Sequence, residues 1–311
     1  RHDGGRVVVW VTLLTSVRRS YLQFLFKAID LPFLPDYWDF QTKLEWKINQ
    51  STTLTYINIG SIDRFTLNSA SNTSPENLYL LDRLPIFNQN TLTNGVVLKK
   101  VMKDGFLTLA LSRNSLWNRI YKYEDNDPAK GYLQDYVSTE DENKLRLNVV
   151  SWKGSWRISY GAVLQFAQYS NTSFLKLSIG DTIDYKTKLN FFRYGVYGSI
   201  SRKFLDDKLT ANFGIRTDLN SFTKTGNNPI ETISPRIGVN YQITPKFAVN
   251  ASAGRYAKLA PYTILGFQSE GRYLNEDAKY ILSDHLVAGF EYFPSSSWIV
   301  TIEGFYKWYQ N

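Results

Sequence analysis

The chain has 311 residues, a formal charge of +8 and a mean hydropathy of −0.30. Cysteine is absent, which excludes disulfides and thiolate metal sites, and no apolar run approaches the roughly 20 residues of a membrane-spanning helix. The basic residues are dispersed instead of clustered, which argues against a nucleic-acid partner.

Aromatic residues are abundant, with 21 Tyr, 19 Phe and 8 Trp. From the start of the chain, apolar and polar residues alternate in long runs, the signature of β-strands with two different faces. The run Val7 to Leu14 reads as part of a first strand over 7–19, not as a signal-peptide core, because Arg18 and Arg19 follow closely. Residues 21–29 read as a short amphipathic helix that ends before Pro32. About thirteen strands are expected, the others at 37–48, 52–65, 91–102, 106–123, 143–152, 156–170, 186–204, 209–222, 232–243, 247–257, 282–293 and 298–310.

Tight polar turns sit near Asn49-Gln50-Ser51, Lys103-Asp104-Gly105, Lys153-Gly154-Ser155, Asp206-Asp207-Lys208, Thr244-Pro245-Lys246 and Pro294-Ser295-Ser296. The remaining connections are long: 20–36, 66–90, 124–142, 171–185, 223–231 and 258–281. Short turns at one rim and long loops at the other predict an all-β antiparallel transmembrane barrel, with the long loops outside the cell. Trp46, Trp152, Trp156, Phe204, Phe247, Phe293 and Trp298 lie beside the short turns, as an interfacial girdle would. A soluble sandwich would also alternate. Strands as long as 106–123 and 186–204 argue against it.

Strand faces single out candidate lumen residues: Arg193, Arg216, Asp218, Arg236, Asn240 and Gln242, which would face a plug or simply form a polar pore lining. For ligand contact the candidates are Arg255, Tyr256, Tyr262, Phe267, Arg272 and Tyr273, which combine charge and aromatic surface near the outer mouth, or else serve loop packing. Glu124-Asp125-Asn126-Asp127, with Glu140-Asp141-Glu142 placed in the same loop, offers oxygen atoms to calcium. Asp125 and Asp127 are its candidates, against the reading of a solvated acidic loop. No metal site or cofactor is otherwise expected. Ser283-Asp284-His285 holds the residue types of a catalytic triad, but neighbours on a strand point to opposite faces. The chain is therefore not expected to be an enzyme.

Several segments resemble a known family. Ser16-Val17-Arg18-Arg19-Ser20-Tyr21-Leu22 with Leu31-Pro32-Phe33-Leu34-Pro35, then Tyr37 to Leu44, Ile233 to Tyr241, Asn250 to Tyr256 with Pro261-Tyr262, and Glu303 to Lys307 resemble TonB-dependent outer-membrane receptors of the kind common in Bacteroidota. That resemblance implies a barrel of about 22 strands around a plug. It also implies TonB as the energy-coupling partner and a scarce ligand: a ferric siderophore, haem, vitamin or glycan. Residues 1–311 would be one incomplete barrel domain, with no recognisable plug or TonB-contacting segment. Outer-membrane lipid is the surrounding partner, and a surface lipoprotein is a further candidate. A passive or structural barrel without a plug is the alternative, and a soluble all-β binding protein a third.

Overall fold

The computed structural model describes residues 10–69, 73–177 and 180–310. Its strands and helices follow in chain order as β1 (Trp10–Arg19), α1 (Leu22–Ala28), β2 (Phe33–Lys47), β3 (Thr52–Leu67), α2 (Pro75–Arg83), β4 (Ile86–Met102), β5 (Gly105–Tyr123), β6 (Tyr132–Lys153), β7 (Trp156–Lys176), β8 (Thr182–Phe204), β9 (Leu209–Asn220), β10 (Ser234–Thr244), β11 (Phe247–Lys258), α3 (Tyr262–Leu265), the two-residue strands β12 (Gln268–Ser269) and β13 (Arg272–Tyr273), β14 (Ile281–Ser295) and β15 (Trp298–Gln310). Thirteen strands form one antiparallel sheet in sequence order, and β12 and β13 pair separately. Among the described residues, β1 pairs only with β2 and β15 only with β14. No helix among them is long and apolar enough to cross a membrane.

The expected helix over 21–29 appears as α1, and the thirteen strands appear where alternation placed them. Residues 7–9 of the first one lie outside the described residues. The expected tight turns close the hairpins. Gly154 takes φ +58°, and Leu205, Asp206 and Asp207 also adopt positive φ.

Register divides the sheet into two faces, because successive side chains point oppositely. One face carries Leu107, Leu109 and Leu111 of β5, Leu145 and Leu147 of β6, Val196 and Ile200 of β8, and Ile237 and Val239 of β10, all opposed in register. These side chains are largely exposed, as lipid-facing residues are in the absence of lipid. The opposite, inner face is polar and receives the loop after β11.

The girdle expectation holds for most positions. Trp156, Phe204 and Trp298 lie on the outward face, and Arg202 stacks between Trp156 and Phe204 at 4.7 and 4.9 Å. Trp152 does not: register puts it on the inner face, where its ring lies 5.8 Å from Phe106.

The long loops were overestimated. β5 to β8 run 19, 22, 21 and 23 residues, whereas β9 to β11 run 12, 11 and 12. Most of the expected loop 171–185 belongs to β7 and β8, and 132–142 belongs to β6. The expected loops 20–36 and 66–90 contain α1 and α2 and yield their last residues to β2 and β4. The physical reason is the bilayer. A strand needs about 9–11 residues to cross it. Beyond that length neither face meets lipid, so the apolar stripe fades although the strand continues.

α2 carries ordinary start signals, with Ser74 accepting from the Asn77 amide at 3.2 Å and Pro75 at its first position. At its other end the buried Lys122 ammonium donates to the carbonyls of Leu81 and Leu84, a cation against the negative end of the helix. α1 lies over the inner face, where Phe26, Phe33, Phe65 and Phe87 form a ladder with centroid spacings of 5.5, 5.1 and 5.5 Å, the middle pair stacked and the outer two edge to face.

Candidate functional site

The segment from Leu259 to Tyr280 folds back over the inner wall. Leu259, Tyr262, Leu265 and Tyr280 pack with Ala167, Tyr169, Leu189 and Phe191 in the main buried apolar cluster. The wall residues belong to the tall parts of β7 and β8. The loop also protects an edge. β8 continues eleven residues (182–192) past the end of its pairing with β9, so that stretch has an unpaired side. The Gln268 side chain donates to the Lys186 carbonyl at 2.7 Å, and Tyr273 Oη donates to the Lys188 carbonyl at 2.5 Å. Tyr185 and Thr187 hydroxyls both donate to the Gly266 carbonyl. The strand edge is thereby covered by side chains.

Tyr262 is the hub. Its hydroxyl donates to Glu142 Oε1 at 2.5 Å and accepts from Gln165 Nε2 at 3.2 Å and Arg193 Nη1 at 3.3 Å. One proton given and two accepted satisfy a phenol completely. Burial, reinforced by the bond to Glu142, pushes its pKa well above the usual phenol value. It stays protonated and keeps donating.

Beside this hub lies a cleft of about 260 Å³ lined by Lys144, Arg146, Gln165, Arg193, Arg216 and Asp218 among others. Arg216 and Asp218 form a two-pronged ion pair, both bonds 2.6 Å. Glu142 lies 3.7 Å from Lys144 and 3.9 Å from Arg193. Four cations thus face two carboxylates, leaving the cleft basic.

The structure brings some of the sequence candidates together and separates others. Arg193, Arg216, Asp218, Arg236, Asn240 and Gln242 share the inner face by register. Tyr262 joins Arg193 there. Tyr256 is also inward, 4.2 Å beneath the Arg236 guanidinium and 4.5 Å from the His285 ring. Arg255, its neighbour, points outward and forms a two-pronged ion pair with Asp284, both bonds 2.7 Å. Phe267 is half exposed and stacks on Tyr185 at 5.7 Å, Arg272 is exposed in the β12–β13 hairpin, and Tyr273 closes the β8 edge. Ser283 and His285 share a 2.8 Å hydrogen bond on the inner face while Asp284 lies on the other, so the three do not assemble as a triad.

The acidic segment is divided. Asp125 is held by Lys130 at 2.7 Å, Asp127 caps a short turn through the Ala129 amide, and Glu124 pairs with Lys176. Glu140, Asp141 and Glu142 are not in that loop but on β6, with Asp141 outward beside Arg113. Among the described residues no group of three or more His, Cys, Asp or Glu is placed to hold a metal ion.

Lys144, Arg146 and Gln165 were missed as site residues, and Glu142 was read only as part of the acidic calcium candidate. Their signal was alternation: Glu142, Lys144 and Arg146 occupy every second position of one strand.

Residues 19–311 match the family described as TonB dependent receptor-like, beta-barrel. The chain belongs to this family of outer-membrane β-barrel proteins. Solved structures agree in fold. The copper transporter OprC superposes with a TM-score of 0.69 at 12% identity over 98% of this chain and 50% of its own. The siderophore receptor PirA from Acinetobacter baumannii gives 0.68 at 12% identity, covering 98% and 48%. A mutant of the ferric enterobactin receptor PfeA from Pseudomonas aeruginosa gives 0.64 at 14%, covering 90% and 43%. The chain thus spans half or less of the length of these three structures. No curated protein matches the sequence.

Proposed function

We propose that these strands form one wall domain of an active-transport receptor, which imports a scarce ligand across the outer membrane with TonB supplying the energy. The ligand class is a ferric siderophore, haem, vitamin or glycan. The observation that carries this reading is the inner wall, a charged cleft beside a loop that is bonded to the wall through Tyr262. A charged cleft on the inner wall suits a polar ligand or a plug with complementary charge, and a latched loop suits a mouth that closes over its cargo. Similarity in fold to solved structures of siderophore receptors supports the same class. The ligand candidates Phe267 and Arg272, exposed beside the mouth, would meet the ligand first, and Tyr256 and Arg236 would follow inside.

The test is uptake by cells carrying or lacking the intact gene, using iron-55 siderophores, haem, cobalamin and labelled oligosaccharides as probes. Loss of uptake of one probe on deletion, and equal loss when a protonophore collapses the inner-membrane potential, is the expected result. Uptake that survives the protonophore would mean a passive pore instead.

A further inference from the structure

The outward face of the sheet is not uniform. Between β8 and β9 it opens into an apolar groove of about 370 Å³, within the usual range for small-molecule sites. Its walls are Val196 and Ile215, its floor is bare at Gly198, and its roof is the turn after β9, with Pro229, Ile230 and Ile233. A Cβ placed at Gly198 would meet nothing within 4 Å, so the space there is open.

The roof is built to stay in place. Thr217 and Thr232 hydroxyls share a 2.8 Å hydrogen bond, Thr232 Oγ1 also accepts from the Asp218 amide at 3.2 Å, and Asn228 Oδ1 accepts from the Ile230 amide at 3.1 Å. This rigid turn presents Ile230 at 79% exposure, with Ile233 and Val196 also bare. Exposed apolar side chains on a fixed turn cost free energy in water but not in hydrocarbon.

Depth agrees. Val196 lies eight residues above Phe204 at the short-turn end of β8. That is about 26 Å along the strand and about 20 Å in height at a tilt near 40°. The groove therefore opens in the upper part of an apolar band about 25 Å tall. It is continuous with the lipid-facing stripe of Val196, Ile200, Phe213 and Ile215.

From this placement we infer that the groove beneath the 229–233 turn is a specific site for one acyl chain of an outer-leaflet lipid. The inference rests on the membrane position of the sheet and not on the transport reading. The lipid would pack against the turn that follows β9, at the strand end that carries Asp218 and Asn220 on the inner wall.

The test uses the full-length receptor reconstituted in vesicles doped with a phosphatidylethanolamine whose palmitoyl chain bears a diazirine. After irradiation, adducts are mapped by mass spectrometry. Adducts on Val196, Ile215, Ile230 or Ile233 should exceed those on Leu107, Leu109 and Leu111 of the same band by about fivefold or more. G198L, which fills the groove without a backbone clash, and I230Q on the roof should each bring the excess down to the level of β5. Even labelling around the band, or an excess that survives both variants, would overturn the inference.

Discussion

Replacing Tyr262 by Phe keeps the ring and removes only the hydroxyl. The ring stays in the cluster with Tyr169, Phe191 and Leu265, so no cavity opens. What is lost is the 2.5 Å bond donated to Glu142 and the acceptor for Gln165 and Arg193. Hydrogen bonds to charged groups contribute about 1.5–3 kcal/mol. Arg193 borders an open cleft and regains a partner in water, while the buried Gln165 loses a neutral acceptor, so the loss is led by the Glu142 bond at about 2 kcal/mol. That corresponds to about a 30-fold rise in the population with the loop undocked. The observable is hydrogen exchange of the Leu265 and Gly266 amides, which donate to Pro261 and Tyr262 carbonyls at 3.0 and 2.7 Å. Exchange of these amides in the full-length receptor should speed up by at least tenfold, while amides in β5 to β7 keep their rates. Glu142→Gln should produce part of the same effect, and the double variant should be less than additive because the two groups share one bond. A change under about threefold in Tyr262→Phe would refute the hub, leaving apolar packing alone to hold the loop.

Truncating Arg193 and Arg216 to Ala in the full receptor should raise its single-channel conductance in planar bilayers, since wall cations would no longer grip whatever fills the lumen. Identical conductance would remove the plug-holding role. Gly161→Val should cost about 1–3 kcal/mol by overpacking, because a Cβ at Gly161 would run into the Leu147 carbonyl of the neighbouring strand; the midpoint of unfolding in urea reads this, and an unchanged midpoint contradicts the close approach. Lys224 bridges to Asp277 at 2.8 Å across two outer loops, and this bond raises the pKa of the ammonium. A raised lysine pKa means that the contact is fully present below about pH 10.4 and is lost as pH climbs through the higher folded value. Protease cleavage within 258–281 should therefore be flat from pH 7 to 9 and increase in stronger alkali. K224M should cleave at the fast rate throughout.

Much of the architecture was legible because a bilayer imposes a simple rule. Where lipid touches a strand every second residue must be apolar, and Phe213 and Ile215 against Arg216 and Asp218 obey it. The outer extensions were not legible for the converse reason. Residues such as Thr182 and Asp184 of β8 carry no apolar stripe on their outward side, so strand and loop look alike in composition. Arg255 and Tyr256 both stand among the six ligand-contact candidates, yet adjacent strand residues must face opposite ways, and the structure separates them. The Tyr262–Glu142 bond joins residues 120 positions apart. Nothing in local pattern announces such a contact, since it depends on how far β6 rises before the loop descends to it.

The step in strand length makes the entrance lopsided. On β8 the crest stands eleven residues above the shoulder where β9 ends, roughly 36 Å along the strand. Bulky visitors from solution, such as an antibody or a phage tail, would be halted at that crest. A small solute arriving over the low shoulder would instead meet the 258–281 loop, whose Gln268 and Tyr273 lie against the side of β8 ahead of Arg193. Approach from the membrane surface and approach from open solution are thus different journeys, and the same parapet that admits one screens out the other.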